Sequence, residues 1–354
     1  MDNIKFDYNN ILIVPEVNTD IESRYKDIVL PNMLPLFTAP MDTVVDLSNM
    51  RYFLANGINV TLPRTITYDS FLENTKVNTS IFTQNLFISL GLQDMEKHYK
   101  TNFKVFHRDA HILIDVANGH MQKIVDIARE VRRLRPDIKL MVGNIANPEA
   151  YAWYAKNHCV DFIRVGIGNG NGCLTTKQSG VGYPGASLIQ ETYKVKQDFI
   201  KNNVAGKVPA IVADGGMKDY VDVIKALALG ADYVMIGSIF NKAFESCAKN
   251  YVFYIPVNDK IANYCFDHKI PVMKHFRGMS TKEAQKAMGK TSFKTSEGVT
   301  RYRKVEYRLQ GWVENFEHYL RNAMSYANAR TLEDFIGKAD VCQITKAAYD
   351  RFNK

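Results

Sequence analysis

Eight short apolar, β-branched runs recur along the chain, at 36–39, 58–61, 86–90, 111–116, 138–143, 161–166, 209–213 and 232–236. Most are continuous rather than alternating, the pattern of strands buried on both faces. Between them lie stretches of helical period. One, 121–134, places apolar residues at Ile124, Val125, Ile127, Ala128 and Val131; another, 219–229, places them at Val221, Val223, Ile224, Leu227 and Leu229. Eight strand–helix units without a long Pro/Gly/Ser linker predict an α/β fold, a (β/α)8 barrel occupying residues 1–354 as a single domain. Residues 1–35 then form an N-terminal extension, 240–311 a long excursion after the eighth strand, and 312–326 the closing helix.

Composition agrees with an ordered chain: 46% of the 354 residues are hydrophobic. No apolar run approaches the roughly 18 residues of a membrane span. Met1–Phe6 carries no basic-then-apolar leader, and the five cysteines are scattered with no CxxC pair. Both features point to a reducing, cytoplasmic setting. The net charge of +8 is uneven, because 271–330 holds twelve basic residues against five acidic ones. Such a segment is either a solvated face of mixed sign or a field for polyanions or phosphorylated small molecules.

Candidate chemistry clusters where the predicted strands end. Asp115 and Asn118-Gly119 follow the fourth strand, Gly143-Asn144 the fifth, Asp214-Gly215-Gly216 the seventh, and Gly237-Ser238 the eighth. Carboxyl ends of strands are where barrel enzymes assemble their sites, and glycines there let backbone amides approach a phosphate. The sixth strand is followed by GIGNGNGCLTT (166–176). It is not a GxGxxG dinucleotide fingerprint, since Gly168 leads to Asn171 and Gly170 to Cys173. It is a glycine loop presenting one cysteine, and an accessible cysteine is a candidate nucleophile. Cys159, just before a strand, reads as a packing residue. His107-Arg108-Asp109 lacks the asparagine of a kinase loop. His107 and His111 lack the partners of a metal site.

The loop IRVGIGNGNGCLT (Ile163–Thr175) resembles the signature of the IMP dehydrogenase and GMP reductase family. FDYNNILIVP (Phe6–Pro15), APMDTV after the first strand, ADGG (Ala213–Gly216), RGMS (Arg277–Ser280), SEG (Ser296–Gly298) and ANARTLEDF (Ala327–Phe335) match in the same order. The resemblance implies a barrel with a mobile flap after the eighth strand, and thiolate attack on purine C2. Cys173 would be the nucleophile, with Thr175 and Glu297 handling protons. Asp214 would hold the ribose, Gly216, Gly237 and Ser238 the 5′-phosphate, and Met41 and Met279 the purine faces, with Arg277 and Gly278 alongside. Asp115, Asn144 and Ser296 would hold the nicotinamide dinucleotide. A monovalent cation such as K+ would sit on the carbonyls of Gly168, Gly170 and Cys173, and the assembly would be a homotetramer.

Within the family the reductase branch is the better match. The stretch about Thr65 to Gln84 leaves no room for the regulatory cystathionine-β-synthase-type (CBS) domains that dehydrogenases commonly insert, and 279–296 contains no Arg-Tyr pair to activate water. DVANGH and GVGYP (Gly180–Pro184) also follow the reductase form. The expected reaction is GMP plus NADPH giving IMP, ammonia and NADP+, with NADH as the other candidate donor. Asn171 replaces the usual Ser and Phe276 the usual Tyr, whose hydroxyl reaches the phosphate; a related purine nucleotide is therefore a second candidate substrate. The alternatives are an IMP dehydrogenase without CBS domains, and an inactive barrel binding nucleic acid through 271–330.

Overall fold

The computed structural model describes residues 4–75, 85–99, 111–170, 173–202, 206–289 and 298–352. Strand β1 (Ile11–Ile13) lies in the N-terminal extension. The barrel strands are β2 (Leu36–Thr38), β3 (Val60–Leu62), β4 (Leu86–Leu90), β5 (His111–Asp115), β6 (Leu140–Ile145), β7 (Phe162–Val165), β8 (Ala210–Asp214) and β9 (Tyr233–Ile236). They are parallel, in the order β2-β9-β8-β7-β6-β5-β4-β3. Closure comes from Asn59, whose amide donates to the Leu36 carbonyl at 2.9 Å and whose carbonyl accepts the Thr38 amide at 2.9 Å. All eight predicted strands are present, displaced by at most two residues at either end. The structure is a (β/α)8 barrel.

Period-two alternation sorts each strand between two cores. Outward residues such as Ile112, Ile114, Leu140, Val142, Ile163, Val165, Val234 and Ile236 pack in the main core, which the surrounding helices share. Inward residues form layers. Phe37, Phe87, Phe162 and Tyr233 make an aromatic floor with ring centroids 5.2–5.9 Å apart. Leu113, Met141, Val212 and Met235 pack in the same interior cluster. One step further along the same strands stand Asp115, Arg164 and Asp214. The alternation that makes the barrel solid therefore also delivers polar groups to its carboxyl end.

The predicted helices form at Gln122–Leu134 and Tyr220–Ala228, and the closing helix at Leu309–Tyr326. The last buries Leu309, Trp312, Val313, Phe316, Leu320 and Met324, a single apolar stripe. Two features were not anticipated. The N-terminal extension is sheet-bonded, β1 pairing antiparallel with a C-terminal strand. The excursion after β9 is also a sheet: β10 (Asn250–Val252), β11 (Ile255–Val257), β12 (Val272–Arg277) and β13 (Thr300–Lys304), in the order β11-β10-β12-β13. The partner of β1 is β14 (Val341–Gln343). His111 opens β5, its ring accepting the Lys139 amide at 3.3 Å, while His107 lies outside the described residues. No helix among the described residues is long and apolar enough to cross a membrane.

Because Phe37 is buried against three other rings, Phe37→Ala should cost about 3–5 kcal/mol of stability, read by urea or thermal unfolding.

Candidate active site

Loops at the carboxyl ends of the strands enclose a cavity of about 280 Å³. Its floor is an ion-pair network. Arg164, on β7, donates from Nη1 to Asp115 Oδ1 at 2.6 Å and from Nη2 to Asp214 Oδ2 at 2.7 Å. Asn144 Nδ2 donates to the same Asp214 oxygen at 2.7 Å and to the Gly166 carbonyl at 2.6 Å. Arg64 completes the set, its Nε 3.0 Å from Asp115 Oδ2. Burial acts to raise the Asp115 pKa, but the charges of Arg164 and Arg64 outweigh it and hold the group below its ordinary value of 3.8. Burial likewise opposes the Arg164 charge, and Asp214 and Asp115 more than restore it. The floor is thus charged, ordered and nearly neutral overall.

Cys173 stands on the opposite wall. Its Sγ is 3.2 Å from Thr175 Oγ1, as hydrogen-bond donor to it, and its amide donates to the Gly170 carbonyl at 2.9 Å. It also forms an isolated antiparallel bridge with Gly298, which joins the cysteine loop to the segment leading into β13. Close backbone approach shapes the rest of the wall. Gly166 has φ +148°, and a Cβ there would lie 2.1 Å from the Asp214 carbonyl oxygen. At Gly237 a Cβ would meet Met41 Sδ at 2.7 Å. Gly166 admits only hydrogen in place of a side chain, whereas a side chain at Gly237 would have to displace Met41.

Among the residues singled out from sequence, Met41, Asp115, Asn144, Cys173, Thr175 and Asp214 line this cavity. So do Gly168, Gly170, Gly216, Gly237, Ser238, Gly278 and Met279. Arg277 does not: its Nε donates to Asp42 Oδ1 at 3.1 Å and its Nη2 to Asp42 Oδ2, a bidentate pair that ties β12 to the loop after β2. Glu297, Ser296 and Asn171 lie outside the described residues. Cys159 is buried, and desolvation raises its thiol pKa to about 11, which suits packing and not nucleophilic attack. Sequence reasoning missed Arg164 and Arg64 as cavity residues, while Phe276, noted in the sequence for standing in place of a tyrosine, also lines the cavity. The signal for Arg164 was present, a lone charge inside an otherwise apolar strand.

The fold and the cavity define a barrel protein with a cysteine-bearing site at the carboxyl ends of its strands. The IMP dehydrogenase / GMP reductase domain family matches residues 5–352, and the chain belongs to that family. Among similar proteins, one named GMP reductase from Caenorhabditis elegans is 26% identical over 364 residues, 98% of this chain and 94% of that protein. Another GMP reductase, from Streptococcus pneumoniae (strain JJA), is 28% identical over 340 residues, 93% of this chain and 92% of that protein. An inosine-5'-monophosphate dehydrogenase from Chlorobaculum tepidum is 29% identical over 236 residues, 67% of this chain and 45% of that protein.

Two outcomes test the network. Arg164→Met leaves two buried carboxylates without their shared cation and should cost about 3–5 kcal/mol in chemical denaturation. Asp115 has a depressed folded pKa, so its contribution is complete above about 3.8 and is lost as pH falls through the folded value. Asp115→Asn should therefore flatten the acid limb of the stability–pH curve.

Proposed function

We propose that this chain is a GMP-reductase-like oxidoreductase. It would convert GMP, a nicotinamide donor and a proton into IMP, ammonia and the oxidised cofactor, within one catalytic domain. The observation that carries the reading is Cys173, hydrogen-bonded to Thr175 on the wall of the one cavity where Asp214 and Gly237-Ser238 also converge. The reductase reading is favoured over the dehydrogenase reading by the relatives named GMP reductase, which align over more than nine-tenths of both chains. The lack of an Arg-Tyr pair in 279–296 favours it independently, since a reaction releasing ammonia needs no activated water.

In this reading the Cys173 thiolate attacks purine C2, and the exocyclic amine leaves as ammonia. The bond that forms is Sγ–C2 and the bond that breaks is C2–N. Thr175 and Glu297 would carry protons to the departing amine. Asp214 would present its Oδ1 to the ribose hydroxyls, its Oδ2 being held by Arg164 and Asn144. When bound, the nicotinamide cofactor would supply the hydride that C2 gains as the Sγ–C2 bond breaks and Cys173 is released.

The residues fit such a group. Asp115 is held by Arg164 and Asn144 by Asp214 and the Gly166 carbonyl, and the Arg164 Nε is buried and finds no acceptor among the described residues. NADPH rather than NADH as the donor rests on the family resemblance. So does K+: of the three carbonyls proposed for it, Gly170's already accepts the Cys173 amide, so oxygens beyond these three would be needed.

Absorbance at 340 nm decides the reaction. NADPH consumption with GMP is expected, in the presence and absence of K+. NAD+ reduction with IMP would instead establish the dehydrogenase. Cys173→Ala should reduce turnover by at least about 10³-fold while GMP still binds in calorimetry; turnover surviving in that variant would overturn the covalent route.

A further inference from the structure

The sheet formed by the excursion after β9 carries an unusual concentration of cations on one face. In the antiparallel register of β12 and β13, Lys274 lies opposite Arg303 and Phe276 opposite Arg301. Directly opposed residues share a face, and like charges placed so repel. Lys274 points inward: its Nζ donates to the Phe244 carbonyl at 2.8 Å and to the Ser246 carbonyl, and burial lowers its pKa to about 8. Arg301 and Arg303 stack on the Phe276 ring, their guanidinium carbons 5.5 and 5.0 Å from its centroid.

Arg303 differs from the other arginines near the cavity. Arg164 and Arg64 share Asp115, and Arg277 holds Asp42. Arg303 meets no carboxylate within ion-pair distance among the described residues. Its Nη1 donates to the Ser238 carbonyl at 3.1 Å. Burial and the neighbouring Arg301 charge weaken its hold on its proton, and the Glu306 carboxylate offsets them only in part. A half-buried cation in this condition is relieved by an anion. Arg303 does not itself line the cavity, but its two neighbours, Ser238 and Phe276, do, with Gly237 adjoining Ser238, so its charge would act from behind that wall. Phe276, which is 1% exposed, has no hydroxyl to offer at that end.

We propose that Arg303 is the anion-recognition residue of this chain. Its charge acts at the Gly237–Ser238 end of the cavity in place of the hydroxyl that Phe276 lacks. It thereby sets the preference for phosphorylated nucleosides over free ones. The proposal rests on the reading of the cavity as a purine nucleotide site. An arginine serving only to cap the Ser238 carbonyl would affect nucleotides and nucleosides alike, so the two roles separate on the phosphate.

The experiment is binding of GMP, IMP and guanosine to the full chain by calorimetry, for the native protein, Arg303→Met and Arg303→Lys. Arg303→Met should weaken GMP and IMP by about tenfold or more and guanosine by less than about twofold. Arg303→Lys should recover part of the loss, because it keeps the charge without the planar fork. In turnover the defect should fall on KM for GMP rather than on kcat. Unchanged GMP affinity in Arg303→Met, or an equal loss for GMP and guanosine, overturns the proposal and leaves the reductase reading standing. Failure of the native protein to bind any of the three overturns the nucleotide reading, and this proposal with it.

Discussion

A buried guanidinium between two carboxylates organises the catalytic end of this barrel. Taking the charges of Arg164, Asp115 and Asp214 out of water is costly, and the arrangement is stable only because each charge has a partner at 2.6–2.7 Å. The network, with Asn144, draws on β5, β6, β7 and β8, half of the barrel. It therefore holds the carboxyl ends of those strands in one geometry. It also commits one oxygen of Asp214, Oδ2, to both Arg164 and Asn144.

The opposite side of the cavity is built by different means. There the excursion after β9 is stitched to the barrel by the Arg277–Asp42 pair and by Asn241, which donates to the carbonyls of Thr43 and His275, and Lys274 braces it internally on the carbonyls of Phe244 and Ser246. The basic character of 271–330, ambiguous as a bare charge count, resolves into distinct uses. Lys274 is structural, Arg277 is neutralised by Asp42, and Arg303 donates to the Ser238 carbonyl. Of these two arginines, only Arg303 has no carboxylate within ion-pair distance among the described residues.

Much of this was legible in the residues. The eight strands announced themselves as continuous apolar runs, because a strand covered on both faces has no polar side to interrupt it. The glycine and polar clusters after those strands foretold which end would carry the site. The sheet of β10 to β13 was not legible: Val272–Arg277 alternates buried and half-exposed positions, but it interleaves Lys274, His275 and Arg277 among apolar residues, and no local rule says that a lysine there will be buried. Nor did sequence spacing indicate that Arg277 would turn away from the cavity onto Asp42, 235 residues earlier in the chain.

The sequence by itself determined the parts list: strand and helix periods, the loop bearing Cys173, and the collinear motifs that mark the family. These are local properties, set by side-chain alternation and by backbone freedom over a few residues. Tertiary structure alone decided the partnerships. Arg164 lies 49 residues from Asp115 and 50 from Asp214, and only closure of the barrel brings the three within hydrogen-bond reach. The pairing of β12 with β13 likewise decided which arginine would stand behind Ser238. Charges find partners through space, and the order of residues along a chain does not specify that distance until the chain has closed on itself.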